Sequence, residues 1–156
     1  MTGRDARSFV IHREMPERFR YHLAEAIDAL GYYRGDALEQ LLGMYRQHWP
    51  RGLSSTMFRL ADIEHLLSEK GRADPYHAQA ATTLRADGNR RREEFDAQHV
   101  DSATGAIFCA PRNCVCDEAQ RLDQSKVGRS GRWALPLPSC RQEWCPCSWV
   151  LLFDLD

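Results

Sequence analysis

No stretch of this chain approaches the roughly 20 consecutive apolar residues of a membrane-spanning helix, so no membrane association is expected. The N-terminal sequence MTGRDARSFVIHREMPERF contains no apolar run of signal-peptide length, which points to a cytoplasmic protein. Net charge is nearly absent. The 21 Lys and Arg residues face 22 Asp and Glu residues, for a net charge of -1. The balance is local as well as global: residues 1–97 carry 15 positive and 15 negative side chains, and the remainder 6 and 7. That excludes strong overall attraction to nucleic acid or to an anionic surface. Catalytic signatures are missing too. Glu64-His65 does not extend to H-E-x-x-H, no G-x-S-x-G elbow occurs, and no phosphate-binding loop is found. Cysteine is absent from residues 1–108.

What is present falls into two parts. The length, 156 residues, suits one domain or a helical domain with a small appended unit. Pro16 opens a helix in which Phe19, Leu23, Ile27 and Leu30 recur at amphipathic spacing, with Gly31 at its end. Asp36 is the expected cap of a second helix, with Leu38, Leu41, Leu42 and Tyr45 on one face, running to Trp49. Ser54 or Ser55 would cap a third, which Gly71 would terminate. Asp74-Pro75 starts a fourth, which Asp87-Gly88-Asn89 is expected to break before an exposed helical stretch from Arg90 to His99. A short strand is expected at Phe9 to Ile11 and another at Ala106 to Phe108. Asp117 would cap a short helix through Leu122, residues 125–132 read as a loop, and Ser148 to Asp156 reads as a buried strand. No fixed repeat period fits residues 16–85. The expected fold class is α+β: an irregular bundle of about four helices over residues 1–100 and a cysteine-rich unit of short strands over residues 101–156.

All six cysteines lie in that second part and repeat one spacing. Cys109, Cys114 and Cys116 read C-x4-C-x-C, and Cys140, Cys145 and Cys147 read C-x4-C-x-C again. In a reducing compartment, clustered thiols favour metal over disulfide. Structural zinc takes four ligands in a tetrahedron, commonly thiolates. Pro111-Arg112-Asn113 supplies a turn within the first spacing. Three arrangements satisfy the pattern: one ion with two thiolates from each triplet, two ions sharing all six, or disulfides between the triplets. Thiols that simply pack are the plain alternative. An Fe–S cluster is chemically allowed, and nothing favours it over zinc.

The remaining features have ordinary readings. Arg85, Arg90, Arg91 and Arg92, with Arg129 and Arg132, make a local basic segment. Glu93, Glu94 and Asp96 follow directly, as on a solvated helix face, so nucleic acid is not the favoured partner. Trp133 and Trp144 lie among the cysteines and mark a candidate surface for a protein partner. His99, ten residues before Cys109, reads as an exposed polar histidine. The tail PLPSCRQEWCPCSW, with His99 and Asp101 to Phe108 before it, faintly resembles the cysteine-rich end of phage head-morphogenesis domains over about a third of the chain. Those domains carry a histidine between the proline and the C-x-C pair, and this chain does not.

The sequence therefore points to a non-catalytic binding protein with a structural zinc site drawn from Cys109, Cys114, Cys116, Cys140, Cys145 and Cys147. Two other classes fit less well. A metal-dependent or nucleic-acid-processing enzyme would ordinarily add histidine or carboxylate to its ligands. A disulfide-stabilised secreted or virion-associated protein would need an oxidising setting.

Overall fold

A computed structural model of the chain describes residues 14–54, 57–99, 102–128, 135–137 and 139–153. The expected strand at Phe9 to Ile11, and Ser55, Arg129, Arg132 and Trp133, lie outside the described residues. The fold is mixed helix and sheet. Six α-helices are present among the described residues: α1 (Glu17–Leu30), α2 (Leu38–His48), α3 (Leu60–Ile63), α4 (Glu69–Ala73), α5 (Pro75–His99) and α6 (Asp117–Leu122). Three strands, β1 (Gly105–Cys109), β2 (Lys126–Gly128) and β3 (Ser148–Leu152), form an antiparallel sheet in the order β2-β1-β3. No helix among the described residues is long and apolar enough to cross a membrane.

The first two helices follow the apolar spacing. Phe19, Leu23, Ile27 and Leu30 are all buried on α1, and Gly31 ends it at φ 68°, a left-handed conformation that glycine adopts without a Cβ clash. Leu41, Leu42 and Tyr45 are the buried face of α2. Asp36 is not its cap: Ala37 holds that position, and the Asp36 carboxylate pairs with Arg34 at 2.9 Å. Aromatic edges fill the space between helices. Phe19 meets Tyr45 at 5.0 Å and Trp49 at 4.9 Å, and Tyr45 meets Phe58 at 4.9 Å, all edge-to-face.

The middle of the chain departs from expectation. The third helix is only one turn long, followed by a 3-10 turn at Glu64–Leu66 and an extended Leu67. Leu67 is extended because it bridges to Tyr33. Ser68 then caps α4, its hydroxyl accepting from the Gly71 amide at 3.1 Å. Gly71 thus lies inside a helix rather than terminating one. Asp74 does begin α5, its carboxylate accepting from the His77 amide at 3.1 Å. Gly88 does not break α5, which runs for 25 residues. Glycine in a helix interior costs about 1 kcal/mol against alanine. Ion pairs offset it here: Arg90 and Arg91 each reach Asp87 at 2.8 Å, and Arg90 reaches Glu94 at 2.7 Å.

β1 appears where expected, and β3 covers the first five residues of the terminal run. β2 forms within the segment read as a loop. Its pairing with β1, Gly105 opposite Gly128 and Ile107 opposite Lys126, supplies the order that its composition does not. Two groups of buried apolar side chains result. One gathers α1, α2, the middle turns and the first half of α5. The other is smaller and contains Phe108, Ala110, Cys114, Ala119, Leu137 and Cys147.

Candidate functional site

The cysteines lie around that smaller cluster, and the β-pleat decides which of them enter it. β1 pairs with β3 so that Phe108 lies opposite Trp149 and Cys109 opposite Ser148. Adjacent residues on a strand point to opposite faces. Phe108 is fully buried in the cluster and packs edge-to-face on Trp149 at 5.2 Å. Cys109 follows it and so faces the other way, with its thiol 3.9 Å from the Ile107 carbonyl.

After β1 the chain turns back at Pro111, whose carbonyl accepts from the Cys114 amide at 2.9 Å. Helix α6 fixes this turn. The Gln120 side-chain amide donates to the carbonyls of Pro111 at 3.1 Å and Cys114 at 2.8 Å. The Asp123 carboxylate accepts from the Ala110 amide at 2.9 Å. Cys116, rather than Asp117, holds the capping position of α6, and Asp117 supplies negative charge in its first turn.

The two triplets meet at Cys114 and Cys147, whose sulfurs are 3.6 Å apart. Both thiols are 4% exposed. This is a non-bonded separation, since a disulfide would bring the sulfurs to about 2.05 Å; all six cysteines are thiols. The Cys114 thiol donates to the Gln142 side-chain oxygen at 3.2 Å, and Cys116 lies 3.9 Å from the Ser139 hydroxyl. Cys116, Cys140 and Cys145 are half-buried and pack against the same cluster. Burial pushes the Cys147 thiol far up from its ordinary value, and its neighbours Cys114 and Cys145 push the same way. Burial raises Cys140 as well, and Cys145, Cys116 and Cys114 add to the effect. Five of the six cysteines therefore lie in or against one cluster, and Cys109 is set apart by the pleat. Among the described residues, no group of three or more His, Cys, Asp or Glu side chains stands ready-made as an ion cage.

The second triplet is held from outside by helix α5. His77 Nε2 lies 2.7 Å from the Glu143 carboxylate. Arg85 donates through Nη1 to the Glu143 carbonyl at 3.0 Å, while its other nitrogens grip Glu25 of α1. Arg92 donates through Nη1 to the carbonyls of Cys145 at 2.9 Å and Cys147 at 3.4 Å. The spacing of His77, Arg85 and Arg92 is eight and then seven residues, which places them on one face of a helix. That regular polar stripe is the signal by which the sequence could have disclosed them. Burial pushes the Tyr32 hydroxyl up to about 12, and the neighbouring Glu143 carboxylate adds to that rise.

Trp144 is half-buried against the helical core, and its ring lies 6.3 Å from that of His77. It also lines an open groove of about 670 Å³, together with Val115, Cys116, Arg121, Arg141 and Gln142 among others. His99 packs against Phe95 and Phe153, at 4.5 and 6.4 Å.

Compared with protein families, with curated proteins and with solved structures, the chain finds no significant match, and the resemblance to phage head-morphogenesis domains gains no support.

Proposed function

We propose that the chain is a non-catalytic binding protein: a helical bundle over residues 1–100 that carries a cysteine-rich unit over residues 101–156, organised by one structural zinc ion. Four of the five gathered thiols, Cys114, Cys116, Cys140, Cys145 and Cys147, would supply the ligands. The observation that carries this reading is the 3.6 Å separation between Cys114 and Cys147, one from each triplet. Zinc–sulfur bonds of about 2.3 Å in a tetrahedron set neighbouring sulfurs about 3.8 Å apart. That pair has the span of one edge of such a tetrahedron, and Cys116, Cys140 and Cys145 pack against the same buried cluster. An all-thiolate shell leaves no open position for substrate, which favours structure over catalysis. Zinc would displace the thiol protons, and its binding energy would add directly to the stability of loops poor in apolar residues. The reading implies a reducing, cytoplasmic setting and a protein partner, with the groove beside exposed Val115 as the surface offered.

The test is metal analysis with thiol titration on protein purified without chelator. About one zinc per chain, with thiols that react only after chelation, is the expected result. Cys114→Ser and Cys147→Ser should each lower metal content and stability. Absence of both metal and reactive thiols would overturn the reading in favour of disulfides.

A further inference from the structure

We infer that Arg92 is a positioning residue for the thiol site, holding the Cys145-Pro146-Cys147 backbone so that its thiols face the first triplet. Its Nη1 donates to the carbonyls of both Cys145 and Cys147, and its Nη2 donates to the Asn89 side-chain oxygen at 2.6 Å. Asn89 lies one helical turn earlier, so the guanidinium is fixed at one end by α5 and at the other by the loop. A planar guanidinium can hold two such acceptors and its anchor together, whereas a lysine ammonium is a point charge on a mobile stem. The contact also has a charge consequence. A divalent ion with four thiolates carries a net charge of about -2, and the Arg92 cation lies against the backbone of two of those ligands. Outer groups of this kind orient the ligands and tune affinity. The part of the inference that concerns metal rests on the zinc reading above; the part that concerns thiol placement does not.

The experiment compares the full chain with Arg92→Ala, Asn89→Ala and Arg91→Ala. Arg91 is 70% exposed and pairs with Asp87, so its variant controls for loss of a cation from the same helix. Each protein is stripped of metal, pulsed with iodoacetamide, and read by peptide mass for the alkylation rate of each cysteine. Zinc affinity is then measured by competition with a chromophoric chelator. Arg92→Ala should speed alkylation at Cys145 and Cys147 by roughly tenfold relative to Cys109, and lower zinc affinity by roughly 10- to 100-fold. General loosening of the fold would instead accelerate all six cysteines together. Equal rates at Cys145 and Cys147 in the Arg92→Ala and Arg91→Ala proteins would overturn the inference, as would a uniform acceleration. If Arg92→Ala loses its helical circular dichroism, Asn89→Ala decides. It keeps the guanidinium but removes the anchor, and the same selective rise is expected, a uniform or absent rise counting against the inference. A wild-type chain that takes up no zinc, yet shows the selective alkylation difference, would defeat the zinc reading and leave the positioning role standing.

Discussion

Gly71 on α4 packs so closely on the backbone of Tyr32 that a Cβ at residue 71 would lie 2.0 Å from the Tyr32 carbonyl oxygen. Neither backbone can yield cheaply. The Ser68 amide donates to that same Tyr32 carbonyl at 3.0 Å, and the Ser68 hydroxyl reaches Gly31. Gly71→Ala should therefore destabilise the chain by roughly 1–3 kcal/mol or more, read as a lower urea midpoint. Gly43, inside α2 with nothing within 4 Å of its Cβ position, is the internal comparison. Gly43→Ala should raise the midpoint, by about 0.5–1 kcal/mol. The reverse order of the two variants would refute the close approach.

Gln79 is 1% exposed and serves the Phe58 backbone at both ends. Its side-chain oxygen accepts from the Phe58 amide at 2.7 Å, and its nitrogen donates to the Phe58 carbonyl at 3.2 Å. Gln79→Leu keeps the volume and strands both backbone groups. The expected loss is about 1–3 kcal/mol for each stranded group that water cannot reach. A denaturation curve superimposable on that of the wild type would show that Phe58 finds other partners.

Glu93 of α5 ties that helix to α1. Arg18 donates to its carboxylate at 2.5 Å, and His22 lies at 2.7 Å. The hydrogen bond from Arg18, followed by that from His22, holds the Glu93 carboxyl down to about 2. A carboxylate lowered in the folded state contributes stability above its unfolded value, near 4.5, and loses it as pH falls toward about 2. With 41% of this side chain exposed, solvent screening limits the contribution to about 1 kcal/mol. Glu93→Gln should flatten the decline in unfolding free energy between pH 4.5 and pH 2.5 relative to the wild type. Parallel declines in the two proteins would place the acid sensitivity elsewhere.

Helices α1 and α2 were legible because their apolar residues recur at helical spacing and each buries one face. The segment from Met57 to Asp74 was not. Its conformation is set by contacts remote in sequence: the Tyr33–Leu67 bridge, the Ser68 hydroxyl on Gly31, and the approach of Gly71 to Tyr32. The long run of α5 through Gly88 was hidden for a related reason. A glycine between two turn-forming residues reads as a stop until Asp87 and Asn89 are seen engaging Arg90, Arg91 and Arg92. At the thiol site, the repeated spacing announced that the two triplets belong together. Spacing groups Cys109 with its neighbours because position along a chain does not record which face of a strand a side chain takes. Arg85 and Arg92 read as solvated charge because the main-chain carbonyls that each also reaches, those of Glu143 and Cys145, lie more than 50 residues away.

Helix α5 joins parts of the chain that lie far apart in sequence. One side of it grips Glu25 of α1, and His77, Arg85 and Arg92 reach a segment more than 50 residues further on. The helix is therefore a shared strut: a substitution that shifts it reaches both its α1 partner and the second triplet.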